Sequence, residues 1–237
     1  FIGVSKIRNK LVSLNKEINW VPKSTGEKRF SNWLSSANDW NLSRSRYWGI
    51  PLPIWRTIDK SETKVIGSVN ELRSEIIRSV NYNHMEFNLL EDFEADNMGD
   101  ENYDKIDLHK DTVDNIILTS NNGKPMYREK DLIDVWFDSG AMPYAQVHYP
   151  FENKDLIDKK RMFPADYIAE GVDQTRGWFY TLHVISTIVF DSIAYKNVIS
   201  NGLVLDKNGQ KMSKRLGNSI DPFEIISKYG PDATRWY

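Results

Sequence analysis

Apolar residues at Ile2, Ile7, Leu11, Leu14 and Ile18 recur at helical spacing and predict a helix within residues 1–18, with no capping residue ahead of it. The period then changes. "NDWNLSRSRYWGIPLPIW" (38–55) crowds three tryptophans, a tyrosine and two arginines around Gly49, Pro51 and Pro53, which fits a strand and turn followed by an extended segment. Residues 57–134 are more polar. They contain a helix opened by the capping-box spacing Ser68-x-x-Glu71, an acidic run, and the hairpin-like "NIILTSNNGKPMYRE" around Asn122-Gly123, together an insertion of α+β character. After "DLIDVWFDSG" (131–140) come a short apolar segment "DYIAEGV" (166–172), a helical pattern from Thr175 to about Asp191, and the strand-like "NVISNGLVLD" (197–206). Strand, helix and strand in that order form a βαβ unit, so the fold class is α/β with a parallel sheet that takes ligands at the carboxyl ends of its strands. Asp221 and Pro222 then cap and start a helix through "FEIISKY", Gly230 and Pro231 stop it, and "PDATRWY" begins another. With Phe1 at one end and this unfinished helix at the other, the sequence reads as a piece of a larger protein.

Composition narrows the classes. A hydrophobic fraction of 40% with 12% aromatics over 237 residues supports a well-filled core in one large or two small domains. The absence of cysteine excludes disulfides and thiolate zinc sites, and His84, His109, His148 and His183 show no ligand spacing, so neither zinc nor another structural metal is expected. The longest apolar run, "HVISTIVF" (183–190), is too short to cross a bilayer, and the expected compartment is the cytoplasm. Net charge is only −2, but residues 1–29 carry seven Lys/Arg against two Glu, while residues 86–107 carry nine Asp/Glu against one Lys. Solvated surface accounts for both runs.

One stretch departs from that acidic balance. "DKNGQKMSKRLGNSI" (206–220) gathers Lys207, Lys211, Lys214 and Arg215, with Gly209 and Gly217 giving the backbone freedom to move. A loop carrying ammonium groups at the carboxyl end of a parallel strand suits a polyphosphate, whose oxygens are met by such donors and by free backbone N–H groups. A solvated charged turn is the competing reading; Met212, an apolar residue between the lysines, favours a loop that docks.

"KMSKR" (211–215) resembles the KMSKS signature of class I aminoacyl-tRNA synthetases, with Arg215 in place of the final Ser. Further stretches resemble the same family in the same order: "DWNLSRSRYWGIPLPIW" (39–55), "DVWFDSGAMPYAQ" (134–146), "FPADYIAEGVDQTRGWFYTLHVIS" (163–186) and "NGLVLDKNGQKMSKRLGN" (201–218). The likeness is close to the isoleucine-charging members and less close to the valine and leucine ones; it is weakest over 57–110. It implies a Rossmann-type sheet forming the second half of the catalytic core. Residues 1–56 would return from an insertion into that core, 57–134 would be a connective insertion, 135–206 the half-fold itself, and 207–237 the lysine loop and the start of a helical region.

The resemblance also implies a chemistry. Isoleucine, ATP with its Mg, and tRNA(Ile) are the implied partners, in a monomer. Lys211 and Lys214 would hold the pyrophosphate oxygens, with Met212, Ser213 and Arg215 shaping the loop, and backbone groups of Gly202, Leu203 and Val204 would meet the adenine. Glu170, Gly171, Asp173 and Gln174 match the residues around the aminoacyl-adenylate, and Trp136 and Trp178 match the walls of the amino-acid pocket. Other readings remain for these groups: Glu170 and Asp173 could simply favour a helix N-terminus, and the tryptophans could be plain core. Arg44 and Arg46 either contact the tRNA acceptor end or lock the insertion to the sheet, the second being favoured. Because an aromatic pocket rejects smaller side chains only weakly, the family architecture adds a hydrolytic editing site, expected ahead of residue 1. The family's His-x-Gly-His motif does not occur in this sequence either. The 237-residue piece alone is therefore expected to be catalytically silent. A valine- or leucine-type synthetase, or a non-catalytic nucleic-acid-binding module of the same fold, is the alternative.

Overall fold

The computed structural model describes residues 1–236. Its strands are β1 (Asn19–Val21), β2 (Ser43–Arg44), β3 (Ile54–Thr57), β4 (Thr63–Val65), β5 (Ile117–Thr119), β6 (Pro125–Arg128), β7 (Leu132–Ile133), β8 (Ala165–Gly171) and β9 (Tyr195–Asn201). Its helices are α1 (Arg8–Asn15), α2 (Ser31–Ser35), α3 (Val69–Asn81), α4 (Asp100–Tyr103), α5 (Lys110–Val113), α6 (Val135–Ala145), α7 (Lys154–Asp158), α8 (Trp178–Phe190), α9 (Pro222–Tyr229) and α10 (Pro231–Trp236).

The βαβ unit is present. β8 and β9 run parallel, joined through α8, and β1 adds a third parallel strand on the far side of β9, pairing Trp20 with Val198. β1 was not expected: the apolar spacing of 1–18 predicts one helix, whereas the chain forms a 3-10 turn at Val4–Ile7, α1, and then a three-residue strand ended by Pro22. So short a strand carries no alternation of its own and exists because β9 offers it an edge.

α8 is apolar nearly all round, and residues 181–187 are buried against Trp20, Phe30, Tyr195 and Val198. Polar atoms inside this core are placed as carefully as the rings. The Trp20 indole N–H donates to Asn15 Oδ1 (2.9 Å), Asn15 Nδ2 donates to Gly26 O (3.0 Å), and the Tyr195 hydroxyl donates to Phe179 O (2.9 Å). Each bond removes the desolvation cost of an unpaired buried group.

Thr187 Oγ1 on α8 is one exception and His183, on the same helix, another. It is fully buried; its Nε2 meets Leu11 O at 2.9 Å, while Nδ1 has no partner among the described residues. Burial pushes the imidazole down to about 4, against a weaker opposing effect of the Leu11 carbonyl. Above pH 6.5 the ring is neutral in both folded and unfolded chains and its contribution to stability is fully present. As pH falls from 6.5 through about 4, the unfolded chain takes up a proton that the folded one refuses, and stability drops by about 3 kcal/mol. Urea unfolding at pH 7.5 and 4.5 is expected to show this loss in the native sequence and a smaller one in His183→Gln; an equal loss in both proteins rejects the assignment.

The antiparallel sheet β4-β3-β6-β5 and α3 enclose a second core around Trp55, Ile76, Leu118 and Met126. Both local signals read in this stretch are present. Ser68 Oγ accepts the Glu71 N–H (3.1 Å), though the Glu71 carboxylate reaches back to the N–H of Gly67 (2.7 Å) and not to the cap itself. The hairpin turns at Gly123 (φ +76), whose N–H donates to Ser120 O. The remaining segment, 202–236, contributes to neither core.

Candidate active site

The last pair between β8 and β9 is Gly171 with Asn201, so both strands end together and both chains leave the sheet at its carboxyl edge. From β9 the chain passes directly into Gly202–Val204. The strand therefore stops at Asn201 and does not reach residue 206 as its composition suggested, because β8 provides no partner beyond Gly171. Gly202, Leu203 and Val204 are exposed and make no backbone hydrogen bond among the described residues, leaving their N–H and C=O groups open.

From β8 the chain enters a 3-10 turn, Val172–Arg176, and α8 starts only at Trp178, three residues later than the helical pattern. The turn is held from below by Thr175, fully buried, which donates to Val172 O (2.7 Å) and accepts from Arg29 Nε (2.9 Å). Above it, Gln174 Oε1 accepts the Trp178 N–H at 2.9 Å and Gln174 Nε2 donates to Asp173 Oδ2 at 3.2 Å. Gln174 thus supplies the cap of α8, and the Asp173 and Glu170 carboxylates stay exposed at the strand edge. A Cβ on Gly171 would lie 2.5 Å from Asp173 Oδ1, so only glycine lets that carboxylate fold back over the end of β8.

The two tryptophans converge on the same turn from α6 and α8. The Trp178 indole N–H donates to Ser139 O (2.9 Å), which fixes its ring against α6. A Cβ at Gly177 would sit 2.6 Å from Gln174 Oε1 and 3.2 Å from the Trp136 ring. Glu170, Gly171, Asp173, Gln174, Trp136 and Trp178 are therefore neighbours at one edge, with Trp136 40% exposed. Gly177 and Ser139 are the residues that sequence reading passed over: both act through backbone geometry, which leaves no chemical signature.

Arg44 and Arg46 part company. The Arg44 guanidinium pairs with Asp134, which also accepts the Trp40 indole N–H (2.9 Å) and caps α6 through the Trp136 N–H (3.2 Å). This ties β2 to the start of α6 and fits the locking role. Arg46 is exposed and lines an open groove of about 820 Å³ with Trp48, His109, Trp136 and Asp138. Burial, and then the Asp134 carboxylate, raise the Asp138 carboxyl above its ordinary range.

The lysine loop follows as a small hairpin, Leu205 bridging Lys211, and then a 3-10 turn at Lys214–Leu216. Lys207, Lys211, Lys214 and Arg215 are exposed and form no ion pair among the described residues. Met212 and Ser213 are half-buried, and Met212 lines a groove of about 930 Å³ shared with Ile220, Ile225 and Tyr229.

A parallel sheet whose strands end together beside an exposed cationic loop is the arrangement in which α/β folds take ligands, and sequence comparison gives the family. The sequence model of the family "tRNA synthetases class I (I, L, M and V)" matches residues 1–237, and the chain belongs to that family. Over its full length it is 64% identical to the isoleucine–tRNA ligase of Bacteroides fragilis, covering 21% of that protein, and 62% identical to that of Bacteroides thetaiotaomicron, again covering 21%. The probable cytoplasmic isoleucine–tRNA ligase of Dictyostelium discoideum is 48% identical, with 20% covered. The chain thus spans about a fifth of the length of the curated relatives it matches. Among solved structures it resembles the LeuRS of Agrobacterium radiobacter K84, in a ternary complex with tRNA and LeuAMS (TM-score 0.53, 22% identity, 84% of this chain and 24% of that one). It also resembles Mycobacterium tuberculosis methionyl-tRNA synthetase bound by methionyl-adenylate (TM-score 0.51, 15% identity, 98% and 31%). At these identities the likeness establishes the fold.

Proposed function

We propose that these residues form part of the synthetic site of an isoleucine–tRNA ligase. The observation that carries this reading is the common exit of β8 and β9: one chain delivers Glu170, Gly171, Asp173 and Gln174, and the other delivers Gly202–Val204 and then the lysine loop. In the reaction an oxygen of the isoleucine carboxylate attacks the α-phosphorus of ATP. The bond to the β-phosphate breaks, pyrophosphate leaves, and the isoleucyl group of the resulting adenylate then passes to a ribose hydroxyl at the end of tRNA(Ile), with AMP as the leaving group. No protein nucleophile is required; the protein orients the reactants and stabilises growing charge. The open backbone groups of Gly202, Leu203 and Val204 meet the adenine, and the carboxylates at 170 and 173 take ribose hydroxyls and the substrate ammonium. Trp136 and Trp178 wall the side-chain pocket. Lys211 and Lys214 take the pyrophosphate, and Mg enters as part of the ATP substrate.

Residues 57–134 are a connective insertion in this reading, 1–56 its return into the core, 135–206 the half-fold and 207–237 the loop region. The enzyme works in the cytoplasm as a monomer. The full-length protein is expected to exchange pyrophosphate into ATP with isoleucine and far less with valine or leucine; exchange driven best by valine reassigns the substrate, and none with any amino acid removes the activity.

A further inference from the structure

We propose that Asp206 and Asn218 form a latch that sets the geometry of the lysine loop, making both of them positioning residues for pyrophosphate binding. The inference rests on the reading of the loop given above. Residues 205–217 are two tight turns in series. In the first, Gly209 at φ +73 donates its N–H to Asp206 O (2.8 Å) and the Asp206 N–H donates to Gln210 O (2.8 Å). In the second, Ser213 Oγ accepts the Arg215 N–H (3.2 Å) and the turn closes at Gly217, φ +66.

Each turn is local, so nothing within either one fixes it against the other. The side chains of Asp206 and Asn218 do. Asp206 Oδ1 accepts the N–H groups of Asn208 (2.9 Å) and Gln210 (2.8 Å), and its other oxygen accepts Asn218 Nδ2 (2.8 Å). Asn218 Oδ1 accepts the Ser213 N–H (2.8 Å), and Nδ2 also reaches Lys211 O (3.3 Å). Both side-chain oxygens of Asp206 and both polar atoms of Asn218 are thereby engaged, and both residues are half-buried while the cations around them are exposed. Chiefly through Asn218, then through the Gln210 N–H, these bonds hold the Asp206 carboxyl below its ordinary range, so it stays ionised and accepting at neutral pH.

The latch answers an electrostatic problem. Four like charges on one short loop repel, and without a phosphate between them they would spread the two turns apart. Clamping the backbone at Lys211 and Ser213 holds the lysines of both turns in one arrangement before the polyanion arrives, which lowers the ordering cost of binding.

Donor and acceptor roles make the test sharp. Asp206→Asn sets an amide N–H against the Asn218 N–H, and Asn218→Asp sets carboxylate against carboxylate. In D206N/N218D the new amide at 206 donates to the new carboxylate at 218 and the acceptors for the Asn208, Gln210 and Ser213 N–H groups remain, so only the longer bond to Lys211 O is lost. In the full-length protein each single variant is expected to lose roughly tenfold in kcat for isoleucine-dependent exchange, with the KM for isoleucine unchanged. The same variants should lose roughly tenfold hydrogen-exchange protection at the Asn208, Gln210 and Ser213 amides. The swap should recover most of both. Native kcat and protection in the single variants, or a swap as impaired as they are, overturns the latch. Lys214→Ala serves as the control for the loop's role: if it exchanges normally, the pyrophosphate reading fails, and amide protection alone then decides whether the latch exists.

Discussion

In the full-length protein, Lys211→Ala and Lys214→Ala should each slow isoleucine-dependent pyrophosphate exchange about a hundredfold, and the double variant about ten-thousandfold. The reason is the state of these side chains before substrate arrives. They are exposed and free of carboxylate partners among the described residues, so their charge is not spent within the protein. During activation negative charge moves onto the pyrophosphate oxygens, and a positioned cation there contributes roughly 3 kcal/mol to the transition state that it does not contribute equally to the ground state. The loss should therefore fall on kcat, with little change in the KM for isoleucine. If both lysines act on one oxygen as a unit, the double variant will lose less than the product of the single losses. A double variant with native kcat would remove the loop from the mechanism.

Asp114→Ala should cost about 3–5 kcal/mol of stability, the penalty for stripping a buried charge of its partner. The Arg128 side chain, at the end of β6, is 1% exposed, with its guanidinium paired to Asp114 and its Nη1 donating to Leu52 O (3.3 Å) and Asp131 O (3.2 Å). The carbonyls cannot balance the charge, so losing the carboxylate leaves a cation out of water. Burial alone would raise the Asp114 carboxyl, but Lys110 and Arg128 more than reverse this and leave it lowered. Its contribution is accordingly present at neutral pH and lost as pH falls below the ordinary carboxylate range. The urea midpoint measures the effect. Replacing both partners, as D114L/R128M, should restore most of the loss; if the double replacement is as unstable as the single, the cost lies in packing and not in the unpaired charge.

Where the sequence spoke plainly, the cause was local. Ser68 and Glu71, Asn122-Gly123, and Asp221 with Pro222 each specify a cap or a turn through atoms a few residues apart, and each forms. The KMSKR stretch and the strand-turn-helix around Glu170 were legible because charge and glycine placement are written in the chain itself. The two arginines of 39–55 look alike in sequence and differ only because Asp134, 90 residues from Arg44, lies beside one of them.

By itself, then, the sequence determined most of the helical and extended segments, the caps, the gathering of four cations on one glycine-flanked loop and the family, since these depend on residue type and on contacts within about one turn. Only the tertiary structure decided that a three-residue strand at Asn19–Val21 joins β9, that β9 ends with β8 at Asn201, and that Gln174 rather than Asp173 caps α8. It also decided that Asn218 closes on Asp206. The physical reason is that hydrogen-bond partners between separate elements, such as Asn19 and Asn197, 178 positions apart, are chosen by which edges and faces remain unfilled once the local elements have packed.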